Sequence, residues 1–354
     1  MSTAPAPRIH ATDEPGMLAL VPHMLGFAPR RSLVVLCLLP PAEGREREAL
    51  GGIARLDLPP EGQEEPAAHA LLAMALQEKA TRVLLAGYED ITGEARAGLG
   101  ALREAATGYG LKVAEVFAVW DERYRSLVCL NLACCPMDGR PLPVITLTIE
   151  MISRGSAPLR TRAALEARYA AGEKAARVGA EYDAIAASED PTADEGMAAW
   201  ERILATPADL SDATIAQAAR ALTVTAPIHV RDALLLWLCP GVAEGEDGAA
   251  EMLALARTHL LEVAPWGGPM GQRADMSQAA PVADALARVC AALPDHHADQ
   301  ALTLAGYFAW WQGDGATAAV VLARIGAAGS LNGLAGILDA LLLAAIRAPG
   351  LGRR

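Results

Sequence analysis

One stretch constrains this chain more than any other: Ser32–Leu39, in which Leu33 through Leu39 are apolar without a break. A strand with one solvated face alternates apolar and polar residues. A continuous run has to be buried on both faces, so the segment predicts a central strand in a layered α/β sheet. Just before it, residues 13–26 read as a short helix. Asp13 can accept from the free amides of the first turn, Pro15 has no amide to lose there, and Gly26 suits the exit. Pro40-Pro41 closes the strand.

The same logic extends downstream. Strands are expected at Gly51–Leu58, Arg82–Tyr88, Lys112–Trp120 and Arg125–Leu132, with helices over residues 66–80 and 93–107 between them. Strands alternating with helices predict crossover connections, and the short links predict antiparallel pairs. After Pro143 the pattern turns helical. Residues 159–187 read as helix, and the acidic stretch Ser188–Glu195 reads as a linker. Only helices follow, near 197–205, 211–222, 228–238, 248–263, 281–293, 298–311, 314–326 and 331–347. The expected organisation is an α/β domain over 1–158, a helical connector with the acidic linker over 159–195, and an all-helical domain over 196–354.

Within that last part, Leu304-Ala305-Gly306-Tyr307, Gln312-Gly313-Asp314 and Ala319 follow the tetratricopeptide pattern of a small residue and an aromatic, a Gly-Asp turn, and a second small residue. A solenoid needs about three stacked units. Only one such unit is present, so an αα-hairpin inside a helical bundle is the plainer reading.

Charge and motifs exclude several functions. The net charge is −12, and isolated pairs such as Arg30-Arg31 and Arg353-Arg354 make no basic patch. Nucleic acid, which is held by clustered cations, is therefore not the expected partner. No signal peptide is visible at the start. The apolar stretch Leu331–Ala348 is interrupted by Asn332, Asp339 and Arg347 and reads as a buried helix, so no membrane association is expected and the cytoplasm is the expected location. Phosphate-binding loops, the dinucleotide fingerprint, the nucleophile elbow and the His-Glu-x-x-His helix are all missing.

Three segments carry a resemblance. They are the block from Asp13 to Leu36, Arg55-Leu56-Asp57-Leu58-Pro59, and Arg125-Ser126-Leu127-Val128-Cys129 with Cys134-Cys135-Pro136-Met137-Asp138-Gly139. In this order they resemble the actinobacterial family known as domain of unknown function 4192, and Leu304–Ala319 is similar to its end region. The resemblance implies a bacterial cytoplasmic protein with a mixed first half and a helical second half, without an assigned reaction. Ala327–Asn332 departs from the family's Asp-Pro turn.

Two constellations can carry chemistry. Cys129, Cys134 and Cys135 can ligate zinc, which takes four soft or nitrogen ligands, although adjacent cysteines share one metal awkwardly and a fourth ligand is missing. They read equally as a redox pair or as buried thiols, the last being the plainest account, since free cysteine behaves as a small hydrophobe. Arg55 and Asp57 sit two apart on one strand face and can bind a small ligand at the sheet edge, or form a simple surface ion pair. His23 reads as a satisfied, half-buried histidine, and Trp310-Trp311 with Phe308 as packing.

The functional expectation is accordingly an interaction or regulatory protein that meets a protein partner through its helical half. The competing expectations are a ligand-binding or catalytic site at the sheet edge, where Arg55, Asp57 and the cysteines converge, and a zinc or thiol site on the cysteine loop.

Overall fold

The computed structural model describes residues 14–41, 48–153, 156–205, 210–224, 229–242, 248–266, 276–329, 331 and 333–348. Asp13, the expected first helix cap, and Arg353-Arg354 lie outside these residues. The chain divides into two compact units, one ending at Arg162 and the other beginning at Ala163.

The first unit is a six-stranded mixed sheet with helices. It runs α1 (Glu14–Leu25), β1 (Ser32–Leu39), β2 (Ala49–Asp57), α2 (Glu64–Gln77), β3 (Arg82–Tyr88), α3 (Arg96–Gly108), β4 (Lys112–Trp120), β5 (Arg123–Ser126), β6 (Arg140–Pro141) and α4 (Thr146–Ser153). The spatial order β2-β1-β3-β4-β5-β6 puts the apolar run inside the sheet, where every residue of β1 except Leu39 is buried. β3 and β4 are parallel and joined by α3; the other pairs are antiparallel.

Side-chain alternation divides the sheet into two faces. Leu33, Val35, Val83, Leu85 and Val116 pack with Leu71 and Leu72 of α2 and with Leu99 and Leu102 of α3. α3 lies close to the sheet because Gly98 has no side chain: a Cβ there would meet Leu33 Cδ1 at 2.6 Å. The opposite face, with Val34, Leu36, Leu84 and Phe117, is equally buried. Phe27, at the exit of α1, lies on this second side. Its ring sits under Arg55, which pairs in register with Val34.

The fifth strand differs from expectation at both ends. It begins at Arg123 because Asp121 and Glu122, both at positive φ, form a two-residue hairpin turn. It ends at Ser126 instead of Leu132, so Cys129 sits in a loop and not on a strand. Two backbone amides, those of Val128 and Cys129, donate to Ser126 Oγ at 3.2 and 2.8 Å, which turns the chain away from the ladder. The apolar side chains that suggested a longer strand are solvated; Leu130 is 91% exposed.

The second unit is helical: α5 (Arg162–Tyr169), α6 (Ala175–Ser188), α7 (Ala193–Ala205), α8 (Asp212–Ala221), α9 (Val230–Leu238), α10 (Ala249–Leu260), α11 (Met276–Ala291), α12 (Asp295–Gln312), α13 (Gly315–Ala328) and α14 (Gly333–Leu343). The helix expected over 159–187 is interrupted between α5 and α6, where the Gly172 amide donates to Ala291 O at 2.7 Å. The acidic stretch is held in place: Thr192 and Glu195 cap α7 reciprocally, and Asp190 pairs with Arg220.

α12 and α13 form a hairpin across Gly313, whose φ of 89° is the left-handed exit that favours glycine, and Asp314 caps α13 by accepting from the Thr317 amide. A solenoid unit touches only its neighbours. α12 instead touches α8, α9, α11, α13 and α14, so the hairpin belongs to a bundle built around it. Trp310 and Trp311 are buried there, and their indole N–H groups donate to Ile346 O and Pro240 O.

Candidate functional site

The expected sheet-edge pair separates on inspection. Asp57 is exposed, whereas the Arg55 side chain is only 7% exposed. Arg55 Nε donates to Ser32 Oγ at 2.9 Å, Ser32 Oγ donates to Arg30 O at 2.5 Å, and the guanidinium lies 5.6 Å from the centroid of Phe27. The Arg55–Asp57 ion pair is thus the outer end of a clamp that joins β2, the start of β1 and the exit of α1. It stands on β2, at one margin of the sheet, while the cysteines follow β5, beyond β1, β3 and β4. Four interstrand spacings of about 4.8 Å lie between β2 and β5. The two groups therefore do not share a cavity.

The cysteines do converge. The sulfurs of Cys129, Cys134 and Cys135 all lie within 4.8 Å of one another. Their loop leaves β5 at Ser126, which is itself anchored by donating from Oγ to Glu115 Oε1 at 3.0 Å. Asn131 builds the next bend: its carbonyl accepts from the amides of Cys134 and Cys135 at 3.0 and 2.7 Å, and its side chain accepts from the Ala133 amide at 3.0 Å. Two neighbouring cysteines are thereby carried round toward Cys129, which removes the awkwardness of their adjacency. Arg123 then holds the far side of the loop, donating to Asp138 O at 2.7 Å and Gly139 O at 2.8 Å.

Exposure is graded across the trio. Cys134 is exposed, Cys129 is intermediate and Cys135 is buried. A backbone hydrogen bond from Asn131 and a thiol hydrogen bond from Cys135 draw the Cys129 pKa below the ordinary thiol range. Burial pushes Cys135 up to about 11, aided by the neighbouring Cys129 sulfur. Cys129 carries negative charge more readily than Cys135, which serves as its hydrogen-bond donor.

The geometry suits a soft cation. Zinc–sulfur bonds of about 2.3 Å place tetrahedral thiolates about 3.8 Å apart, inside the 4.8 Å within which these three sulfurs lie. Among the described residues no fourth histidine, cysteine or carboxylate joins the cluster. A fourth coordination position would be open to water or to an incoming donor.

Ser126, Glu115 and Asn131, which shape this loop, were not recognisable as site residues from the cysteine spacing. The local signal was a serine at a strand end followed by an asparagine, the two residue types that most readily bond their own backbone.

Fold and site together define a two-unit protein, a mixed-sheet unit with a three-thiol loop and a helical unit. Residues 15–348 match the family described as domain of unknown function (DUF4192), and the chain belongs to that family. No curated protein and no solved structure matches it. Among the described residues no helix is long and apolar enough to cross a membrane.

Proposed function

We propose that the chain is a regulatory protein whose sheet unit binds a soft metal ion, zinc in the first instance, on Cys129, Cys134 and Cys135, and whose helical unit meets a protein partner. The observation that carries the reading is the convergence of three sulfurs from a loop that its own backbone bonds hold in shape. Cys129 supports it further, because the thiolate is the ligand form and this sulfur is biased toward it. Such a site requires reduced thiols, as a cytoplasmic location would provide, and all six cysteines are free. For the partner, α14 contributes apolar surface: Ile337 is 53% and Leu343 79% exposed.

A second reading rests on the same charge bias. Cys129 as thiolate and Cys135 as thiol form a pair that a peroxide can oxidise, closing a disulfide while the peroxide is reduced to water.

Cobalt(II) substitution tests the metal reading. Titration of the reduced chain should produce a sulfur-to-cobalt charge-transfer band that saturates at about one equivalent, as expected for one thiolate centre. Cys129→Ser should weaken the band. Absence of the band in the native chain, or a band indifferent to Cys129→Ser, would overturn it.

A further inference from the structure

We infer that the first unit contains a second, independent site: a cleft between α3 and the β4–β5 margin that binds a small phosphate ester through Arg96, Arg103 and Arg125. The cleft encloses about 280 Å³. That is just under the roughly 300–1,000 Å³ usual for small-molecule sites, so its ligand is small.

The topology explains why the cleft exists. Val116 of β4 pairs with Leu85, under α3, and belongs to the helix-covered core. Arg125 lies opposite Ala118 in the β4–β5 register, and the Leu127 amide donates to Val116 O, so Arg125 and Leu127 share the helix-facing side. On α3, Arg96, Gly100 and Arg103 are spaced i, i+4 and i+7, one stripe of the helix. That stripe faces β5 across the cleft.

Three observations point to an anionic occupant. First, all three arginines line one cleft, no carboxylate lines it among the described residues, and none of the three forms an ion pair among them. In a chain of net charge −12, where about half of the described arginines pair with acids, three guanidinium groups lining one cleft without one make it locally positive. Second, Arg125 Nε is buried and finds no acceptor among the described residues. A buried charged donor left unpaired is costly, and an oxyanion in the cleft would satisfy it. Third, Gly100 sits within a helix, where glycine destabilises, yet a Cβ there would meet no atom within 4 Å. No neighbour packs against this position, so the space over it is open to an occupant.

The guanidinium fork matches the oxygens of a phosphate in paired hydrogen bonds, and three forks suit a group carrying two negative charges. Leu99, Val116, Leu127 and Val128 supply an apolar wall for the organic part. The ligand class is therefore a monophosphate ester with a short apolar body. This site stands apart from the thiol reading, although Val128 directly precedes Cys129.

Calorimetric titration of the full reduced chain at fixed ionic strength, with phenyl phosphate, inorganic phosphate and citrate, tests the inference. Phenyl phosphate should bind saturably and more tightly than inorganic phosphate, because only the ester reaches the apolar wall. Arg125→Gln should weaken it about tenfold or more, the usual effect of losing a charged hydrogen bond. Gly100→Met keeps every charge but fills the cleft; it should abolish binding while leaving or raising the Tm, which separates a site from a diffuse positive field. The Cys129→Ser chain should bind phenyl phosphate as the native chain does, so a failed thiol reading leaves this one standing. No saturable binding, equal binding in Gly100→Met, or tighter binding of citrate than of phenyl phosphate would overturn the proposal.

Discussion

Ser126 Oγ accepts the Cys129 amide at 2.8 Å, and this one bond decides where the fifth strand stops and where the thiol loop starts. Ser126 is 2% exposed and also accepts from Val128 and donates to Glu115. Removing the hydroxyl leaves two amides without this acceptor and takes one donor from Glu115 Oε1, which keeps the Val116 amide at 2.9 Å, at the point where the loop turns.

Ser126→Ala should therefore cost about 1–3 kcal/mol, the usual penalty for buried groups left unpaired. The loss should be concentrated in the loop. Hydrogen exchange at Val128 and Cys129 is expected to accelerate more than exchange in β1, and equal acceleration at both would contradict the anchoring role.

Thiol reactivity should show a pH order. Cys129, drawn below the ordinary thiol range, becomes thiolate ahead of Cys135, raised to about 11, as pH rises. Alkylation of the metal-free chain near neutral pH, read by peptide mass spectrometry, should modify Cys129 ahead of Cys135. Cys135→Ala removes a donor to Cys129, so the alkylation midpoint of Cys129 should move to higher pH.

Acid should weaken the first unit through His23. Its Nδ1 lies 2.8 Å from Ser156 Oγ, and burial lowers its pKa below 6.5. The unfolded chain then binds a proton more readily than the folded one as pH drops through 6.5, so stability present above that pH is lost below it. A thermal melt series from about pH 7.5 to 5.5, spanning the ordinary histidine pKa, should show a falling Tm whose slope is reduced in His23→Gln.

In the second unit, Arg324 of α13 is a single cation serving several chain ends. Its side chain is 11% exposed and donates to Cys290 O at 2.7 Å, Leu293 O at 2.8 Å, Asp295 Oδ1 at 2.9 Å and Tyr169 O. Arg324→Met keeps the apolar stem but takes away the donor that these carbonyls share. A loss of about 3 kcal/mol is expected in urea unfolding followed by tryptophan fluorescence; an unchanged midpoint would remove the role.

How much of this was legible depended on whether the physical signal was local. β1, β3 and the Val116–Val119 part of β4 were readable because continuous apolar runs need burial on both faces, and only a sheet interior supplies it. β5 was not, because Leu127, Val128, Leu130 and Leu132 have strand-like chemistry but are solvated, and a serine side chain ended the ladder. Arg55 read as half of a surface pair because its burial depends on Phe27, which is distant in sequence. The three cysteines were visible as a cluster, but the bend at Asn131 that brings their sulfurs together is backbone geometry. The arginine cleft was invisible, since Arg125 meets Arg96 and Arg103 only through the β4–β5 hairpin.

The most direct measurement is zinc content and thiol accessibility of the full chain purified from a reducing lysate. About one zinc per chain is predicted, the stoichiometry of a single thiolate centre. Cys129 and Cys134 should be protected from alkylation until a chelator is added, and both zinc and protection should be lost in Cys129→Ser. A zinc-free chain that takes up none when zinc is supplied, with Cys129 and Cys134 alkylated at once whether or not a chelator is present, would contradict the metal-binding account.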